Sequence, residues 1–171
     1  MDSCTMEAGA SGADQTLCPV ARAQALVGDR FTVVILRELF MGNGRFEQLQ
    51  CQADVTPQML ATRLKKLEAL GLLERRAYST RPLRHEYVLT PMGLAFHPVL
   101  LALRAWGETW LKSGEEKVAV RYVHNPCGAD PGLGPTCQNC GEVMRRDDLT
   151  STLDEAYAAE RDKRWADFKP R

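Results

Sequence analysis

Thr56–Leu89, TPQMLATRLKKLEALGLLERRAYSTRPLRHEYVL, decides the fold. Thr56 is suited to cap a helix through its hydroxyl, and Pro57 suits the first helical position, where a missing N–H costs nothing. Leu60, Leu64 and Leu67 recur at i, i+4 and i+7 and form one apolar stripe. Gln58, Thr62, Arg63, Lys65 and Lys66 fall largely outside it. Gly71 supplies a C-terminal stop. Residues 73–78 and 84–89 then read as two short strands. Their link, Ser79-Thr80-Arg81-Pro82-Leu83, carries turn chemistry in Ser79, Thr80 and Pro82. The stretch is expected to be a DNA-reading helix followed by a two-stranded wing.

Charge points the same way. Between Arg63 and Tyr87 seven Lys/Arg face three Glu, a local +4 in a chain whose formal total is zero. A basic patch on an otherwise acidic molecule is what phosphate-directed binding needs. Taken alone, the same patch is equally a solvated helix face.

Working outward, residues 31–41 read FTVVILRELFM, with apolar side chains nearly all round a helix. That helix is expected at the buried centre of the domain. Gly42-Asn43-Gly44 breaks it, and Arg45 to Cys51 forms a short helix with Phe46 and Leu49 inward. Asp54-Val55-Thr56 is the turn into the reading helix, completing a helix-turn-helix. Cys51 beside that turn reads as packed. Before the core helix, Leu17-Cys18-Pro19-Val20 starts the ordered chain, with Cys18 at or beside the N-cap of a short helix. A thiol there feels the positive end of the helix dipole, which favours the thiolate, and Arg22 adds a cation one turn on. Cys18 is therefore a candidate sensor; the alternative is a small packed hydrophobe.

After the wing, Thr90-Pro91 repeats the Thr-Pro helix start, and a helix is expected to about Lys112, kinked or divided by Pro98. Val99, Leu103, Trp106 and Trp110 lie at i, i+4, i+7 and i+11. Such a stripe fits a dimer interface, alone or shared with the 21–26 helix, or else internal packing. His97 reads as structural. Residues 117–123 alternate like a strand. His124-Asn-Pro-Cys127-Gly128 and Cys137-Gln-Asn-Cys140-Gly141 follow, two x-x-Cys-Gly turns nine residues apart. Each turn brings its two ligands to one tetrahedral ion, and the glycine relieves the turn, so structural zinc is the expected cofactor. A redox-active Cys137/Cys140 dithiol and a metal-free packed remnant are the alternatives. Residues 150–168 read as a charged helix with a thin apolar face from Leu153, Ala156, Tyr157, Trp165 and Phe168. Docking on its own subunit, on a partner, or loose attachment all fit that face.

The chain of 171 residues is 44% hydrophobic, enough for one domain plus a module. The first 17 residues lack a basic start followed by an apolar run, and no stretch of about 20 apolar residues exists, so neither a secretory signal nor a membrane span is read. Six cysteines without a signal point to reduced thiols or metal, hence a cytoplasmic protein. Three histidines scattered over wing, helix and ribbon do not assemble a catalytic constellation, so an enzyme is not expected. The expected organisation is a flexible tail at 1–16, a DNA-binding and dimerisation domain at 17–114, a ribbon-like zinc module at 115–145, and a charged helix at 146–171. The fold class is mainly α with a small β wing: a winged helix-turn-helix with a C-terminal zinc-ribbon-like extension.

CPV near the start, ILRELF, RFEQLQ, the run from Thr56 to Arg76, YSTRPLRHEYVLT, PMG and the W-G-E-x-W close together resemble the HxlR-type winged-helix transcriptional regulators, a MarR-like bacterial group. The likeness spans about residues 18–111. It implies a homodimer whose reading helices enter successive major grooves of a pseudo-palindromic site on double-stranded DNA. The positions matching the reading helix are Thr56, Pro57, Gln58, Thr62, Arg63 and Lys66. Those matching the wing are Tyr78, Ser79, Arg81 and Arg84. Gln58 and Arg63 suit base edges, whereas Lys66 and the wing arginines suit phosphates or the minor groove. Some members of the group sense oxidants or electrophiles through a cysteine at the position of Cys18, so redox sensing is implied as well. Two rival readings stand beside this one: a zinc-dependent protein-interaction module, and a regulator switched by a non-covalent small ligand at the dimer interface.

Overall fold

The computed structural model describes residues 16–169. The flexible tail expected at 1–16 lies almost wholly outside them. The described residues form seven α-helices and two antiparallel two-stranded sheets: α1 (Pro19–Val27), α2 (Thr32–Phe40), α3 (Phe46–Ala53), α4 (Pro57–Ala69), β1 (Leu73–Thr80), β2 (Leu83–Leu89), α5 (Pro91–Leu94), α6 (His97–Trp110), β3 (Val120–His124), β4 (Leu149–Leu153) and α7 (Glu155–Asp167).

The main core is Ile35, Leu36 and Leu39 of α2, Leu49 and Ala53 of α3, Leu60, Leu64 and Leu67 of α4, and Leu72 and Leu73 at the wing root. All three leucines of the α4 stripe are at most 1% exposed. Burying side chains of this size contributes about 1.5–3 kcal/mol each. Asp29 opens α2: its Oδ1 accepts from the Phe31 and Thr32 amides at 3.2 Å, and its Oδ2 accepts from the Thr32 hydroxyl. Thr56 opens α4, its hydroxyl accepting from the Met59 amide at 3.3 Å, with Pro57 in the first turn.

The wing pairs Leu73 with Leu89 through Thr80 with Leu83. Its strands run further than the sequence suggests, into the Ser79–Leu83 link. A register shift between Ala77 and Ser79 leaves Tyr78 as the extra residue of a bulge. Thr90 ties the wing exit down, its hydroxyl donating to the Gly71 carbonyl at 2.5 Å. Gly93 is required at the next step, because a Cβ there would sit 2.0 Å from the Leu72 carbonyl oxygen. The helix expected from Pro91 to Lys112 is divided, into α5 and α6, with Pro98 in the first turn of α6.

The extension has a small core of its own: Leu101 of α6 with Cys137, Met144 and Leu149. β3 and β4 pair from Val120 with Leu153 to His124 with Leu149. β4 corrects the reading of residues 150–168 as helix throughout. Asp154 caps the helix only after that strand, accepting from the Ala156 amide at 3.0 Å.

α7 docks on its own chain, and Arg161, its one buried residue, makes a buried ion pair there. Arg161 reaches the fully buried Glu38 of α2 in a two-pronged pair, Nη1 to Oε1 at 2.9 Å and Nη2 to Oε2 at 2.6 Å. Gln52 of α3 donates to the Arg161 carbonyl at 3.1 Å, and Arg164 donates to the Gln52 carbonyl at 3.2 Å. Among the described residues no helix is long and apolar enough to cross a membrane.

Candidate nucleic-acid interface and cysteine–histidine cluster

At 3.6 residues per turn, Gln58, Thr62 and Lys65 stand opposite the Leu60, Leu64 and Leu67 stripe. All three are exposed. Thr62 donates its hydroxyl to the Gln58 carbonyl at 2.9 Å, and Lys65 has no ion pair or hydrogen bond among the described residues. Arg63 and Lys66 occupy the flank of α4 and turn inward. The Arg63 Nε lies 3.1 Å from Asp29 Oδ1, and Lys66 Nζ donates to the Ala25 carbonyl at 3.1 Å. They tie α4 to the end of α1 and the cap of α2. For the Asp29 carboxyl, burial pushes upward, but the hydrogen bonds from Thr32 and Phe31 and the Arg63 charge win and hold it below its usual value.

At the wing, Arg81 and Arg84 are exposed and form no ion pair among the described residues, while Ser79 is half-buried. Tyr78 lies under the Arg45 guanidinium, 4.7 Å from its ring centre, which joins the wing to the start of α3. The sequence reading placed Lys65 outside the leucine stripe but did not name it among the positions matching the reading helix. Its helical angle, opposite the leucine stripe, was a signal available without coordinates.

Cys18 takes the N-cap position of α1 and is exposed; its carbonyl accepts from the Arg22 amide at 3.1 Å. The Arg22 Nε donates to the Thr16 carbonyl at 2.6 Å. Cys51 is buried, and burial pushes its thiol above the usual range.

His124, Cys127, Cys137 and Cys140 converge, with all ligand atoms within 4.8 Å of one another. Two matching turns bring them together. The Cys127 and Gly128 amides donate to the His124 carbonyl, the Gly141 amide donates to the Cys137 carbonyl, and both glycines take positive φ (69° and 79°). His124 Nδ1 lies 3.4 Å from the sulfurs of Cys127 and Cys140, and the Cys127 and Cys137 sulfurs are 3.7 Å apart. A tetrahedral zinc with bonds of about 2.3 Å to sulfur and 2.0–2.1 Å to nitrogen has edges of roughly 3.8 Å and 3.5 Å. The three measured separations are close to the edges of a zinc-sized tetrahedron, so the four groups could hold such an ion. The Ala129 amide and His124 pull the Cys127 thiol down to about 6.

The short helix α3, Asp54 in the left-handed conformation at its end (φ 51°), an exposed reading helix and a basic two-stranded wing define a winged helix-turn-helix transcriptional regulator that binds DNA. Residues 26–115, more than half the chain, match the profile of the HxlR-like helix-turn-helix family. An uncharacterized HTH-type transcriptional regulator of Mycobacterium tuberculosis is 40% identical over 133 residues, which is 77% of this chain and 82% of the relative. The HTH-type transcriptional regulator YodB of Bacillus subtilis is 31% identical over 102 residues, 58% of this chain and 91% of YodB. Among solved structures, the candidate transcription factor PA1607 superposes with a TM-score of 0.65 at 30% identity, covering 84% of this chain and all of PA1607. The redox regulator HypR in its oxidized form superposes with a TM-score of 0.51 at 30% identity, over 54% of this chain and 96% of HypR. The chain belongs to the HxlR-like helix-turn-helix family.

Proposed function

We propose that the protein is a homodimeric regulator that reads a pseudo-palindromic DNA site and is switched by chemistry at Cys18. One observation carries the dimer. Val99, Leu103, Trp106 and Trp110 are all exposed along one stripe of α6, with Trp106 at 56% and Trp110 at 73%. α1 buries no residue at all, and its Val20 is 72% exposed. Two apolar surfaces of this kind on a small domain call for a partner, and a second copy supplies the same surface by symmetry. Two copies then present two reading helices, each offering Gln58, Thr62 and Lys65 to base edges. Arg81 and Arg84 reach phosphates or the minor groove, and Thr56, Pro57, Tyr78 and Ser79 shape the approach. Arg63 and Lys66 reach DNA only by leaving Asp29 and Ala25; otherwise they hold α4 in place. Acting on chromosomal DNA, such a protein works in the cytoplasm.

The switch is supported by the exposed N-cap position of Cys18 and by the likeness to the redox regulator HypR. In an alkylation event the Cys18 thiol gives its proton to solvent and the thiolate adds to the carbon–carbon double bond of a quinone-type electrophile; the sulfur–carbon bond forms as the π bond breaks, and the adduct takes up a proton from water, at the N-terminus of α1 next to the proposed interface. We assign structural zinc to His124, Cys127, Cys137 and Cys140. With four protein ligands no position is open for substrate, so the metal braces the ribbon. Selection of bound DNA sequences, repeated after a mild electrophile with Cys18→Ser as control, tests the reading. The expected result is an inverted repeat whose binding the electrophile weakens in wild type only. Equal loss in Cys18→Ser removes the Cys18 switch, and selection of no sequence removes the DNA reading.

A further inference from the structure

A cleft of about 430 Å³ opens where α2 and α6 face the β3–β4 sheet and the start of α7. Val34, Phe40, Leu100, Val120 and Tyr122 form much of its wall. Part of that wall, Val120 and Tyr122 included, comes from the extension beyond residue 115, outside the segment that defines the family. The volume suits a small organic molecule.

Its charges are unbalanced. Arg37 is paired with Glu38 and Lys112 with Glu108, but Arg104 and Arg146, which also line the cleft, form no ion pair among the described residues. Arg104 donates to the Val120 and Leu133 carbonyls and lies 4.9 Å over the Tyr122 ring, while its Nε is buried with no acceptor. Arg146 donates its Nε to the Phe40 carbonyl at 2.6 Å. A cation beside an apolar wall loses hydration that only a counter-charge restores in full. His97, 2% exposed, also lines the cleft, and its Nδ1 has no partner. Burial, the larger influence, keeps that ring below its usual value and therefore neutral near pH 7. Seven residues separate His97 from Arg104, so they share one face of α6 about 10 Å apart along its axis.

We propose that this cleft is a binding site for an aromatic carboxylic acid, the carboxylate at the Arg146 guanidinium and the ring between α2, α6 and Tyr122. Such a ligand meets both features at once: an anion for the Arg146 guanidinium, which has no ion pair among the described residues, and a flat apolar body for the walls. All the residues that line the cleft belong to one chain, and Leu103 of the proposed dimer stripe is at its edge.

Calorimetric titration of the full chain without DNA tests it, with cinnamate as probe and neutral cinnamamide as control. Saturable binding of one cinnamate per chain is expected, at least tenfold weaker for cinnamamide and for Arg146→Gln. Gly107→Phe places a ring where a Cβ meets nothing within 4 Å, and is expected to block the cleft while leaving the melting transition intact. Should that variant not fold, Arg146→Gln and the amide decide. Absence of binding to the wild type overturns the proposal. So does equal binding of acid and amide, or full affinity in a folded Gly107→Phe chain.

Discussion

Removing Arg161 would leave the Glu38 carboxylate fully buried with only Arg37 and Asn43 beside it. Breaking one partner of a buried pair costs about 3–5 kcal/mol. Because Arg37 and Asn43 remain at 2.7 Å, Arg161→Met is expected near the lower end, read by urea unfolding. Double replacement, Glu38→Leu with Arg161→Met, is expected to recover most of that loss, and failure to recover any would show that the pair does more than neutralise itself. The pair also sets an acid limit. Burial alone would raise Glu38, but the Arg161 hydrogen bonds, then the Arg37 and Arg161 charges and Asn43, hold it below its ordinary value of 4.5. Its contribution is therefore complete above about pH 4.5 and is lost as pH falls through the lower folded value. Glu38→Gln is expected to flatten the acid side of the stability curve and leave its neutral-to-alkaline shape alone. On α4, Gln58→Ala is expected to cost about 1–3 kcal/mol on the specific site and little elsewhere. Arg81→Ala is expected to weaken every sequence alike and reduce the salt slope by about 1. A gel-shift titration at several salt concentrations separates the two.

Helices α1 and α6 carry the proposed assembly at the scale of elements. The exposed stripe of α6 is apolar along about three turns, and a charge placed in its middle forces the two copies apart unless it is buried at high cost. Trp106→Glu is expected to convert a dimer into a monomer in light scattering, with DNA affinity falling because the two reading helices become independent. A wild-type monomer at micromolar concentration would remove this assembly. Within α4, the leucine stripe was legible from spacing alone, since a 3.6-residue period places those side chains on one side wherever the helix sits. The inward turn of Arg63 and Lys66 was not. It depends on Asp29 and the Ala25 carbonyl, which approach α4 only when α1 and α2 have packed.

For the whole molecule, the extension beyond residue 115 is fastened at two ends. One end is the His124–Cys127–Cys137–Cys140 cluster with its small core, and the other is α7 on α2 and α3. Chelation is expected to loosen residues 120–153 to protease while the winged-helix core keeps its helical signal, and native mass spectrometry is expected to show one zinc per chain, lost in Cys137→Ser. Protection unchanged by chelator would refute the metal brace. The sequence by itself determined the reading helix, the wing, the core helix and the paired ligand turns. Each rests on local periodicity, capping or spacing, which the backbone imposes without help from distant residues. Only the tertiary structure decided the second strand of the ribbon sheet, the docking of α7 and the cleft behind α6. Glu38 and Arg161 are far apart in the chain, and β4 looks like the start of a helix until β3 lies beside it. Pairings of that range are chosen by packing and mutual burial, and no local signal in the chain records them.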